Sequence, residues 1–131
     1  MNIMDMLLQL DETKLVKPKK QVEMKRLSEI LGDKVVFNVE AITPDKMSEI
    51  QDMSIDYEKE SVNLEELQVM TVIEGTKEPN FKSKELMDKF KVYTPKDLVK
   101  KLLLPGEIIS LYNMIGELSG FNGETVEEVK N

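Results

Sequence analysis

The sequence predicts an α+β fold, mainly helical: a bundle of short helices preceded by a small N-terminal antiparallel β-hairpin. Three observations carry this expectation. From Thr94 to Phe121, caps, breakers and apolar spacing agree on two successive helices. From Val35 to Ile42, VVFNVEAI is rich in β-branched and aromatic residues and keeps one apolar face. Elsewhere, apolar residues recur at three- and four-residue spacing behind recognisable helix starts. The 131 residues suit one domain, expected at residues 1–121, with residues 122–131 as a short, acidic, flexible tail.

Taken in order, Asn2 caps a short helix lined on one side by Ile3, Met6, Leu7 and Leu10. Asp11 to Lys20 is polar, contains Pro18 and reads as a loop. Val22 and Met24 alternate with polar neighbours, as in a short strand. Ser28 to Lys34 is then the irregular loop of a hairpin whose second strand turns Val35, Phe37, Val39 and Ala41 to one face. A lone hairpin is marginal in water, so a helix has to cover it. Thr43-Pro44 opens a helix with Met47, Ile50 and Met53 at helical spacing. Asp56 to Ser61 reads as a polar loop. Asn63 and Glu66 form an Asn-x-x-Glu variant of the capping box, for a helix carrying Leu64, Leu67, Met70 and Ile73. The run QVMTVI has strand-like composition, but the cap and Gly75 favour helix. After Pro79, SKELMDKF is a short helix with Leu86, Met87 and Phe90 inward.

The stretch 94–121 is read as a helical hairpin. Thr94 is the N-cap, Pro95 suits the first helical position, and Asp97 sits where a capping-box acid belongs. Leu98, Val99, Leu102 and Leu103 share a face before Pro105-Gly106 breaks the helix and opens another. Ile108, Ile109, Leu111, Tyr112, Ile115 and Leu118 form the second stripe, and Gly120 is a ready C-terminal cap.

Composition removes most chemistry. Cysteine and histidine are both absent, so there is no disulfide framework, thiol nucleophile, imidazole base or Cys/His metal site. Glu65-Glu66 lies in the first turn of a predicted helix, where the dipole explains it, and Glu127-Glu128 lies in the tail. Ser119-Gly120 is better read as a helix end than a nucleophile elbow, and GTKEPN lacks P-loop spacing. The expectation is a protein that is not an enzyme. A net charge of −7 disfavours nucleic acid and anionic membrane, and the helix EIISLYNMIGEL has no Lys or Arg with which to read DNA. The lysines at 14, 17, 19, 20 and 25, with Arg26, are expected to form a solvated positive edge that meets acidic surface. No apolar run is long enough for a membrane span, and the N-terminus lacks the basic flank of a signal peptide. Without cysteine, a cytoplasmic protein is the simplest expectation. Nine methionines serve either as soft core filling or as an adaptable binding surface. Binding to other proteins is the class that remains.

Four segments, in order, carry a resemblance: MDMLLQLD, VEMKRLSEI, IEGTKEPNFKSKELMDKF and DLVKKLLLPGEIISLYNMIGELSGF. Together they resemble the XkdN-like tail assembly chaperones of contractile-tailed phages and phage-like particles. The resemblance implies a chain that binds the tape measure protein, keeps it soluble and assists tail tube assembly, with no cofactor. It implies action in the bacterial host's cytoplasm and absence from the mature particle. The tail tube protein is a second candidate partner, and a frameshifted longer form of the chain is a third. Val129-Lys130-Asn131 is codable as a slippery run that would permit such a frameshift. The partner-binding residues expected on this basis are Leu104, Ile108, Ile109, Tyr112, Ile115 and Phe121. The competing expectation is that most of these form the domain's own core, leaving Tyr112 and Phe121 as exposed anchors. Two other functions stay open at this point: a structural or scaffold protein of the tail, and a non-phage protein-binding adaptor.

Overall fold

In the computed structural model, which describes residues 2–130, the order of elements is α1 (Ile3–Leu8), β1 (Lys19–Glu23), α2 (Lys25–Leu31), β2 (Val36–Glu40), α3 (Pro44–Met53), β3 (Ile55–Asp56), β4 (Ser61–Val62), α4 (Leu64–Gly75), β5 (Thr76–Glu78), α5 (Lys84–Lys89), α6 (Pro95–Leu102) and α7 (Pro105–Leu118). The fold is α+β and mainly helical. β2 is the middle strand of a three-stranded antiparallel sheet, with β1 on one side and β5 on the other. Lys19 lies opposite Glu40 and Glu23 opposite Val36, so Val22 and Phe37 are partners across the sheet.

The sheet departs from the expected hairpin in three ways. The segment between β1 and β2 is not an irregular loop. Most of it is α2, ended by Gly32 in the left-handed conformation at φ 71°. Ser28 on that helix accepts a hydrogen bond from the Val35 N–H at 2.8 Å and ties the helix to the start of β2. Lys19 and Lys20, read as loop, belong to β1. The third strand comes from Thr76–Glu78, far along the chain and too polar to announce itself; it is recruited by the free edge of β2. A second two-stranded ribbon, β3 with β4, flanks the expected Asp56–Ser61 loop.

Helix α4 occupies the centre. It packs against α3, α6 and α7 and runs directly into β5. Its cap is as expected, the Asn63 side chain accepting from the Glu66 N–H at 3.0 Å. Glu66 does not close the box; its carboxylate takes Lys96 of α6 at 2.8 Å instead. The buried residues are Val69, Thr71, Val72, Ile73 and Gly75, while Leu64 is exposed. Of the apolar residues at helical spacing, Ile73 is core, Met70 packs against it, Leu67 is half-buried and Leu64 is exposed, because a helix surrounded on several sides has no single inward face. Thr71 is tolerated there because its hydroxyl donates to the Leu67 carbonyl at 2.7 Å.

Helices α6 and α7 begin as the sequence implies. The Asp97 N–H donates to the Thr94 hydroxyl at 3.1 Å, and Pro95 and Pro105 occupy first positions. They do not form a hairpin packed on itself. Leu103 and Leu104 are extended between them, and both helices find their main partner in α4. The core joins Phe37 and Val39 of β2, Val69 and Val72 of α4, Leu98 and Val99 of α6, and Leu111 and Ile115 of α7. Helix α1 contributes nothing to it. Its Asn2 cap forms, but none of its residues is buried.

Candidate binding surface

Two grooves flank α7. Helical spacing turns Ile108, Leu111 and Ile115 inward, where all three are buried. This leaves two flanks. On one, Tyr112, Asn113, Gly116 and Glu117 face Met47 and Gln51 of α3 and Leu67 and Thr71 of α4 across a groove of about 360 Å³. On the other, Gly106, Ser110 and Met114 follow one another at four-residue intervals. With Val22, Met24 and Leu104 they bound a groove of about 410 Å³.

Phe121 reaches the first groove because of how α7 ends. The Gly120 N–H donates to the Glu117 carbonyl, the Phe121 N–H donates to the Gly116 carbonyl at 2.9 Å, and Gly120 has φ 95°. This is a Schellman turn, and it folds the chain back so that Phe121 joins the groove wall while remaining 70% exposed. Ser119 fixes the same corner from its other side, accepting from the Ile42 N–H and donating to the Ile115 carbonyl. It is a structural serine at a helix end.

The six residues singled out from the sequence therefore fall in three places. Ile108 and Ile115 are core, with Ile115 wholly inaccessible. Tyr112, half-buried, and Phe121 share the α3–α4–α7 groove. Ile109, 44% exposed, lies on the same flank as Tyr112 by helical spacing, whereas Leu104 lines the opposite groove. Met47, Leu67 and Met114 are groove residues that sequence reasoning did not select. Met47 and Leu67 read as inward stripes of their own helices. The high methionine content was the available signal: Met24, Met47 and Met114 line the two grooves.

An ion pair sets the second groove. Arg26 of α2 donates from Nη2 to Glu107 Oε1 at 2.8 Å and to the Leu102 carbonyl at 2.7 Å, with Nε 3.2 Å from both carboxylate oxygens. Glu107 also accepts from the Leu104 N–H at 2.7 Å, capping α7. One guanidinium thus holds α2 to the joint between α6 and α7. One lysine of the expected positive edge also meets an acid: Lys17 lies 2.7 Å from Glu40, which Lys77 of β5 approaches at 3.6 Å. Burial pushes the Glu40 carboxyl up, and the two lysines outweigh it, leaving it below its ordinary value.

The Arg26 guanidinium, with help from the Leu104 N–H, holds the Glu107 carboxyl below the usual carboxylate range. A carboxyl depressed by folding contributes stability above its unfolded pKa and loses it as pH falls through the folded value. Acidification from about pH 7 to about pH 3 is therefore expected to lower the melting temperature of the wild type more than that of Glu107→Gln. Thermal melts of the two proteins across that range test it. Parallel curves would mean that the pair is not coupled to folding.

Among the described residues, no group of three or more His, Cys, Asp or Glu is arranged to hold a metal ion, and no helix is long and apolar enough to cross a membrane. Both grooves beside α7 combine apolar side chains with polar ones.

The uncharacterized protein YqbN of Bacillus subtilis (strain 168) is 27% identical over 108 residues, covering 76% of this chain and 72% of YqbN. A crystal structure of yqbn superposes with a TM-score of 0.63 at 28% identity, covering 79% of this chain and 87% of that one. The family model for the phage XkdN-like tail assembly chaperone protein matches residues 4–131, nearly the whole sequence. The chain belongs to the phage XkdN-like tail assembly chaperone family.

Proposed function

We propose that this tail assembly chaperone binds the tape measure protein in the host cytoplasm, keeps it soluble while tail tube subunits assemble around it, and leaves before the particle is complete. The observation that supports this reading is the groove between α3, α4 and α7, open to solvent, where Met47 and Leu67 face Tyr112 and Phe121 among the polar Gln51, Asn113 and Glu117, with the phenylalanine exposed on its rim. A long helical tape with apolar stripes would aggregate alone. An amphipathic helix laid in such a groove covers its stripe, with Met47 and Leu67 adapting on one side and Tyr112 and Phe121 anchoring on the other. Ile109 extends the anchoring flank toward the start of α7. The acidic balance of the chaperone keeps the complex soluble. No catalytic step or cofactor is needed.

The test is coexpression. The wild-type chain is expected to raise the soluble yield of the tape measure protein and to co-purify with it. Phe121→Ala combined with Tyr112→Ala should cut the captured amount by about tenfold or more, as loss of aromatic anchors does elsewhere. Folded chaperone that neither raises the yield nor co-purifies would remove the proposal. Mass spectrometry of finished tails gives the complementary check, since an abundant chain in mature tails would make it a structural component.

A further inference from the structure

Strand β1 is an edge of the three-stranded sheet, with β2 on one side and no strand on the other. The alternation of an antiparallel ladder sorts its main-chain groups. The Met24 N–H donates to the Val35 carbonyl, and the Pro18 carbonyl accepts from the Ala41 N–H, both at 2.9 Å. Between these two bonds, the N–H and C=O groups of Lys20 and Val22 face β2. Those of Lys19, Gln21 and Glu23 point away from the sheet, where no main-chain group of the described residues meets them. All three residues are exposed. Neither Lys19 nor Glu23 makes an ion pair among the described residues. The opposite edge of the sheet is blunted in a way that β1 is not. β5 has 3 residues, a register shift in its pairing with β2, and Pro79 directly after it. β1 pairs over all 5 of its residues without a shift.

We infer that β1 of one copy pairs antiparallel with β1 of a second copy, about a twofold axis at Gln21, so that the two sheets join into one. The strand KKQVE is complementary to its own reverse: a base near its start, an acid at its end and an amide between. With Gln21 facing Gln21 of the partner subunit, Lys19 faces the partner subunit's Glu23, and Glu23 faces the partner subunit's Lys19. Each of these facing pairs is made of outward residues, so each exchanges two main-chain hydrogen bonds. Unlike charges directly opposite one another stabilise a strand pair. Lys20 falls opposite Val22 of the partner subunit, so no like charges face each other directly. Other registers fail. A slip of one residue sets outward groups against inward ones. A slip of two residues one way sets the two Lys20 side chains against each other, and the other way carries Lys19 past the end of the partner strand. Lysine on an edge strand ordinarily keeps a second strand away. Here the lysine on the outward positions meets a glutamate. An isologous contact needs both halves in every chain, and this segment supplies both. β1 takes no part in the groove between α3, α4 and α7, so the inference does not depend on what that groove binds.

Charge exchange tests the register. Lys19→Glu sets acid against acid at both ends of the contact, and Glu23→Lys sets base against base. Sedimentation of the wild type is expected to give twice the chain mass, with self-association weakened by about tenfold or more in either variant alone. Mixed in equal amounts, the two variants set acid against base at both ends. The mixed pair is expected to form, identified by a size tag on one of them. Gln21→Pro tests the main-chain bonds. It removes an outward N–H and leaves every bond to β2 in place, a position at which an edge strand accepts proline. It should give one chain mass with an unchanged circular dichroism spectrum; if it does not fold, the charge variants still decide. A wild type of one chain mass at every concentration of a dilution series overturns the inference. So does a mixture of the two charge variants that pairs no better than either alone. Pairing that persists in folded Gln21→Pro overturns it as well, by placing the contact elsewhere. The readout uses this chain alone, so its failure is distinct from failure to capture the tape measure protein.

Discussion

Phe81→Ala is expected to destabilise the fold by about 3–5 kcal/mol, the usual range for emptying a large aromatic site in a core. Phe81 lies in the turn between β5 and α5 and has no accessible surface. Its ring meets Phe37 of β2 edge-to-face, with centroids 6.0 Å apart and planes at 70°. That geometry adds to simple burial. It also joins the turn to the central strand, so the substitution leaves a cavity beneath the sheet. In a chain of 131 residues the loss corresponds to a fall in melting temperature of roughly 10–20 °C. Urea titration should show a lower midpoint with an unchanged slope. Phe121→Ala is the internal comparison: the same change at an exposed ring should alter stability by about 0.5 kcal/mol or less. Similar midpoints for the two variants would contradict the packing described.

Phe81 also shows why part of the fold was not legible in the sequence. It is a single aromatic residue in the polar run EPNFKSKE, with no periodic neighbours, so nothing local marks it as core. The elements whose signals are local were readable. Asn2, Asn63 and Thr94 cap helices with their side chains, and Gly120 ends α7. VVFNVE forms a strand because its composition and alternation agree. What depended on distant partners was not readable. β5 is a strand only because β2 has a free edge, and the inward face of α4 cannot be chosen until three other helices surround it. The candidate surface follows the same division. Tyr112 and Phe121 stand out as aromatic residues on an apolar helix and its corner. Met47 and Leu67 become groove walls only when α3 and α4 meet α7. That α1 is helical was written in its spacing; that none of its residues is buried was not.

Gly75→Ala is expected to destabilise the chain by about 1–3 kcal/mol, although alanine is the better helix former by about 1 kcal/mol. A methyl group at this position would lie 2.6 Å from Cδ1, 2.7 Å from Cγ2 and 2.9 Å from Cγ1 of Ile115. Two of these atoms are bonded to the Ile115 β-carbon, and the side chain is wholly buried, so rotation cannot relieve all three contacts. The glycine that reads from sequence as a helix end is therefore what lets α7 approach α4. Ile115→Ala should by itself cost about 2–5 kcal/mol through the cavity it leaves. The double variant is expected to be less destabilised than the two single effects added together, by roughly 0.5–3 kcal/mol, because the new methyl fills part of that cavity. Additive effects would mean that the two residues do not touch. The same pair separates core from contact surface. Ile115→Ala should lower stability while leaving capture of the tape measure protein per folded molecule unchanged, whereas Phe121→Ala should do the reverse. A loss of capture in folded Ile115→Ala equal to that in Phe121→Ala would mean that the partner engages α7 through its inner face, and that α7 must leave α4 to bind.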